Sequence, residues 1–166
     1  MEKASQQILN DLSNYQKSYK FVVYKAFFAM QKNGQANLKD MMGYIKNFYL
    51  DRKENGLMIE TDNTASEITE INNTSLKKLQ NYIERMPLAR LNTLNKREII
   101  ELDRDIWNKL NQNDIVEINN LIEDKLVRYY EEVVRDEYKP KYFSRVNLAE
   151  QLNNINIWWV NQGKSN

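Results

Sequence analysis

The run YKFVVYKAFFAMQK, residues 19–32, is apolar nearly all the way round a helical wheel. A helix of that kind does not lie on a surface; other elements must wrap it. The rest of the chain reads as a helical wrapper. Four glycines and two prolines in 166 residues are too few turn formers for a many-stranded β fold. Hydrophobic residues make up 42% of the chain, enough for one core at this length. The expected fold is mainly α: a single helical domain with a helix-turn-helix-like core.

Periodicity places the elements. Residues 3–15 form a first helix with Ile8, Leu9, Leu12 and Tyr15 on one side. The apolar run is the second helix, started near Ser18 and stopped by NGQAN, where Gly34 suits a left-handed position. Asn37 caps a third helix, supported by Asp40 three residues on. Its buried stripe is Leu38, Met41, Met42, Ile45, Phe48 and Tyr49. Asp51, Arg52, Lys53 and Glu54 fall in its last turn, and Gly56 stops it. The segment 61–74 reads as an exposed acidic loop. A fourth helix runs from Ser75 to about residue 86, ended by Pro87. PLARLNTLNKR reads as an irregular basic connector. LMIE (57–60) and EIIEL (98–102) are short strand candidates able to pair as a two-stranded ribbon. A short helix follows around DRDIWNKL. Asn113 caps a long helix, 114–136, ended by Pro140. Residues 1–137 are thus the core domain. The tail, 138–166, is expected to dock on the core or on a partner through Ile155, Ile157, Trp158 and Trp159.

The composition excludes several chemistries. The chain has no cysteine and no histidine. Disulfides, thiolate nucleophiles, zinc fingers and histidine-based acid–base catalysis are therefore out. Neither phosphate-binding glycine motif, GxxxxGK[ST] or GxGxxG, is present. The carboxylates of ETD (60–62) and ELDRD (101–105) would approach one another if the ribbon formed, a weak oxygen-ligand set for a divalent ion. Glu137-x-Lys139 with Asp124 sits on a charged helix end rather than on paired strands, which argues against a metal-dependent nuclease. No catalytic residue, metal or cofactor is assigned. A cysteine-free chain with no apolar leader or spanning segment reads as cytoplasmic.

Charge is segregated along the chain. Residues 1–56 carry nine basic and five acidic groups, and residues 75–98 carry six and two. Residues 99–137 carry eleven acidic and five basic groups. Two basic blocks and one acidic block make either a bipolar surface or ordinary solvated helix faces. The candidate phosphate-binding residues are Lys39, Lys46, Arg52 and Lys53 in the first block. Lys77, Lys78, Arg85, Arg90, Lys96 and Arg97 are those of the second. Trp158 and Trp159 are the candidate partner-binding residues.

SYKFVVYKAFF (18–28), FYLDRKENGL (48–57), YIERMPLARL (82–91), DIWNKL (105–110) and VRYYEEV (127–133) together carry a resemblance. In that order they resemble a module from the C-terminal parts of bacterial superfamily-II DEAD/DEAH-type helicases of the restriction-enzyme Res-subunit-like kind. The Phe-Tyr-x-x-Arg ending with its Gly-Leu and the Trp-x-x-Leu are the more specific pieces. Met86-Pro87-Leu88 stands where the family tends to have Asn-Pro-Phe, and the tail has no counterpart. The resemblance implies an accessory domain without the motor, contacting DNA or coupling a helicase motor to a partner in a restriction or phage-defence system. Arg52 and Lys53 are its first candidates for nucleic-acid contact. The alternative is a protein–protein interaction domain that uses the acidic block or the tryptophan tail and touches no nucleic acid.

Overall fold

A computed structural model describes residues 3–138, except Gln16, Asp62, Asn63, Pro87, Ala89 and Asn95. The elements are α1 (Ala4–Ser13), α2 (Tyr19–Met30), β1 (Gln35–Asn37), α3 (Leu38–Glu54), α4 (Ser66–Thr69) and a 3-10 turn (Ile71–Asn73). They continue with α5 (Leu76–Glu84), β2 (Leu91–Leu94), β3 (Ile99–Leu102), α6 (Arg104–Lys109), α7 (Gln112–Arg128) and a π-helical turn (Tyr129–Val134). The fold is mainly α, as expected. The proline expected to end the fourth helix, the proline expected to end the last one, and the tail after Tyr138 lie outside the described residues.

α2 is the axis of the molecule. Every residue from Tyr19 to Phe28 is buried. Two of them are lysines, and each has a built-in counter-ion. Lys20 Nζ lies 3.0 Å from Asp11 Oδ1 and also donates to the Asp11 and Asn14 carbonyls, which binds α2 to α1. Tyr24 donates its hydroxyl to the other oxygen of Asp11. Lys25 pairs with Glu123 of α7, and Tyr138 donates to the second oxygen of Glu123. α3 and α7 both pack on α2, and α5 packs on α3. One connected core results, reaching from Ala4 to Tyr138.

α3 begins and ends as its sequence dictates. The Asn37 side chain accepts from the Asp40 N–H at 3.1 Å. At the far end the Leu57 N–H donates to the Arg52 carbonyl and the Gly56 N–H to the Lys53 carbonyl. Gly56 takes φ +73 there, the left-handed close of a helix.

The sheet differs from the expected ribbon. It has three antiparallel strands in the order β1-β3-β2. β3 is the centre, with Ile100 facing Ala36 on one side and Thr93 on the other. The 57–60 segment is not a strand, because side chains occupy its main-chain hydrogen bonds. Arg52 Nε donates to the Met58 carbonyl, the Met58 N–H donates to Asp136, and the Tyr130 hydroxyl donates to the Ile59 carbonyl. The partners of β3 come instead from the turn after α2 and from the stretch read as a basic connector. The 61–74 segment is likewise not all open loop: α4 and the 3-10 turn bury Ile68 and Ile71. α7 is capped by Asn111 in a reciprocal box with Asp114, two residues ahead of the expected cap. Its α-helical winding gives way to the π turn at Tyr129, and Arg135 closes it in a left-handed conformation. Among the described residues no helix is long and apolar enough to cross a membrane.

Gly34 and Gly56 both have positive φ, but only Gly34 is also hemmed in. A Cβ there would sit 2.8 Å from the Trp107 ring, whereas one at Gly56 meets nothing within 4 Å. Gly56→Ala is expected to cost about 1 kcal/mol, the left-handed penalty alone. Gly34→Ala is expected to cost distinctly more, because the indole must also shift. Urea unfolding of the two variants compares them directly, and equal losses would contradict the close approach to Trp107.

Candidate nucleic-acid interface

A helix advances about 100° per residue, so residues seven apart lie almost on one line. Lys39, Lys46 and Lys53 have that spacing on α3. They flank the buried stripe, while Asp40, Asp51 and Glu54 fall on a different line of the same helix. Lys39 and Lys53 are exposed and Lys46 is half-buried. Lys46 Nζ donates to the Thr74 carbonyl at 2.8 Å, which places the lysine line beside the start of α5. At the other end, Leu38 lines a hollow with Ile83 and Glu84, so α5 runs antiparallel to α3. Lys77 and Lys78 stand exposed on the first turn of α5.

The β2–β3 turn closes this surface. The Leu38 N–H donates to the Glu98 carbonyl at 2.8 Å, which fixes the turn at the head of α3. Lys96 and Arg97 both have positive φ there. Arg97 reaches Glu84 and Asn81 of α5, and Gln80 donates to the Arg97 carbonyl. Lys96 is exposed. Among the described residues Lys39, Lys53, Lys77, Lys78 and Lys96 make no ion pair. Members of both basic blocks thus share three adjoining elements.

Two other candidates, Arg85 and Arg52, are engaged elsewhere, and Arg90 is partly enclosed. Arg85 pairs with Glu67 at 2.9 Å and lies over the Tyr82 ring. Arg90 is half-buried, its main chain against the Tyr24 hydroxyl and the Asp103 N–H. Arg52 is the clear departure from expectation. It is 3% exposed, with its guanidinium 3.6 Å from the centre of the Tyr130 ring. Nε donates to the Met58 carbonyl and Nη1 to the Glu137 carbonyl, and Nη2 lies 4.0 Å from Asp136. Its bonds tie the end of α3 to the 57–60 segment and to the residues after the π turn, so Arg52 holds the fold together. Its neighbour Lys53 points outward. Trp158 and Trp159 lie outside the described residues.

The carboxylates expected to meet at a ribbon are separated by the real topology. Glu60 is buried and accepts from the Ser18 N–H and hydroxyl, the Tyr129 hydroxyl and the Thr61 N–H. Ser18 Oγ lies 2.8 Å from the Tyr49 hydroxyl. Since Ser18 gives its single proton to Glu60, Tyr49 donates to Ser18. Burial, and then the bond to Glu60, pushes the Tyr129 hydroxyl far above its ordinary pKa. Sequence reasoning passed over this network, because a lone Glu between two uncertain strands carries no pattern. Glu101 accepts from Gln35, and Asp103 caps α6. Among the described residues no group of three or more acidic side chains is arranged to hold a metal ion.

Two measurements test the reassignment of Arg52. Arg52→Ala is expected to destabilise the protein by about 3 kcal/mol, as loss of a buried hydrogen-bonded cation does, with Arg52→Lys recovering little of it. Lys53→Ala should stay within about 0.5 kcal/mol of the parent. Matching denaturation midpoints for Arg52→Ala and Lys53→Ala would restore Arg52 to the surface. Asp136 gives a pH signature. The Met58 and Glu137 N–H groups, and then the Arg52 charge, hold its carboxyl below the ordinary 3.8. A depressed folded pKa contributes stability above the unfolded value that is lost as pH falls through the folded one. Asp136→Asn should therefore flatten the loss of stability below about pH 4, and an unchanged acid limb in thermal melts would refute the coupling.

No protein-family model matches this chain, and no curated protein or solved structure matches it.

Proposed function

We propose that this chain is a non-catalytic, nucleic-acid-associated accessory domain that holds a phosphate backbone on its α3–α5 face. The observation that carries the reading is the gathering of Lys39, Lys53, Lys77, Lys78 and Lys96, exposed and without ion pairs among the described residues, on three adjoining elements. Such a surface attracts phosphates by counter-ion release and needs no base contact. Four exposed acids, Glu117, Asp124, Glu131 and Glu132, belong to α7 and its π turn, and α7 packs on α1 and α2 rather than on α5. Asp40 and Glu54 of α3 and Glu98 of the β2–β3 turn are also exposed, so a polyanion would follow the lysines between them.

The helicase-module resemblance supplies the setting. Under it, the domain serves a motor carried elsewhere, in a helicase or restriction and phage-defence system, and contributes affinity rather than chemistry. The second reading, a protein-binding domain, would use the acidic α7 surface.

Fluorescence anisotropy with labelled DNA at low and moderate salt tests the proposal. The parent is expected to bind in the micromolar range and to weaken steeply with salt. A Lys39→Glu, Lys77→Glu variant should bind at least about tenfold more weakly with an unchanged melting temperature. Absence of binding at low salt by the folded parent would end this reading in favour of a protein partner for α7.

A further inference from the structure

We infer that the nucleic acid taken by the α3–α5 face is a double helix, bound without regard to sequence, rather than a single strand. The inference rests on the proposed function and sharpens it.

Proteins that hold single strands add stacking platforms to their basic grooves, because an unpaired base offers a ring face. Among the described residues this face has no such platform. The aromatic residues of α3 and α5 are Tyr44, Phe48, Tyr49 and Tyr82, exposed by 7%, 2%, 1% and 5%. All four are buried, and the Arg85 guanidinium lies over the Tyr82 ring.

The cations themselves are arranged for a rigid polyanion. Lys39 and Lys53 are fourteen residues apart on a continuous helix, about 21 Å along its axis. Lys77 and Lys78 add two more exposed ammonium groups on the first turn of α5, which packs beside α3. A duplex presents its phosphates at fixed positions along a stiff axis, which suits cations fixed along a helix. A single strand would have to be ordered along the face, and without stacking nothing offsets that entropy.

Base reading is also disfavoured. Arginine and glutamine side chains suited to base edges on this surface are already engaged with their neighbours. Arg97 is held by Glu84 and Asn81, and Gln80 donates to Glu84 and to the Arg97 carbonyl. What projects freely is lysine ammonium, a point charge that reads phosphate position and no base.

The test is a competition experiment with the full chain. A labelled DNA duplex of about two helical turns is displaced by the same duplex, an unrelated duplex, an RNA duplex, or either single strand. A duplex is expected to compete at least about tenfold better than a single strand of equal length, with the two DNA sequences within about twofold of each other. The logarithmic salt slope should be roughly −4 for the five free lysines, and Lys39→Ala, Lys53→Ala should make it shallower by about 2. Whichever duplex competes better, DNA or RNA, names the source of the phosphates. A single strand that competes as well as the duplex overturns the inference and leaves the proposed function standing. No binding by any probe overturns the proposed function itself.

Discussion

The Arg52 guanidinium is the junction on which the C-terminal half of the structure depends. It lies in the last turn of α3, stacked on Tyr130 and bonded to the carbonyls of Met58 and Glu137. An arginine suits this place because its planar fork reaches two carbonyls while its face lies on a ring. Around it, Asp136 takes the Met58 N–H and Tyr130 takes the Ile59 carbonyl. Buried main-chain groups must find partners. Here Met58 and Ile59 of a crossing segment find them in side chains rather than in a neighbouring strand. The crossing can therefore pass between α3 and the π turn without belonging to the sheet.

Glu60 continues the same logic one residue further on. Four donors converge on one buried carboxylate, from the start of α2, from the crossing itself and from the π turn. The interior of this protein is accordingly not uniform oil. Its axis helix is tied by Lys20 to α1 and by Lys25 to α7, and its crossing by Glu60 to α2. Both buried lysines are paired with carboxylates, one nine and the other 98 residues away, and Glu60 is held by hydrogen bonds from neutral donors. Removing one member would leave the other buried and unpaired, which is the costly case.

Much of the helical part was legible because it rests on local rules. The all-round apolar run marked α2, and Asn37, Ser75 and Gly56 marked ends where their side chains or φ angles are used. The sheet was not legible, since its strands are three or four residues long and one hides inside a turn-like NGQAN. The π turn leaves no periodicity to read. Arg52 is the instructive miss. Its sequence position carried the signal, for it follows Ile45 by seven residues and Phe48 by four, on the core side of α3. A charged residue in a last turn has a ready alternative explanation in the helix dipole, and that explanation hid the burial. The same seven-residue rule, applied to Lys39, Lys46 and Lys53, separates the cations that face outward from the one that does not. Sequence listed all of these as one basic block; only packing sorts them.

The latches also set an order of assembly. Arg52 meets Glu137 across 85 residues, Ile59 meets Tyr130 across 71, and Lys25 meets Glu123 across 98. Contacts of such separation cannot form until the later partner exists and a long loop has closed. On the ribosome, α2 and α3 emerge with Lys25 and Arg52 still unmatched, carrying charge on what will become interior surface. Those charges keep the early helices hydrated while the apolar run waits for its cover. Their partners arrive only with α7 and the residues after its π turn, so the same groups that bind the finished molecule charge the unfinished one.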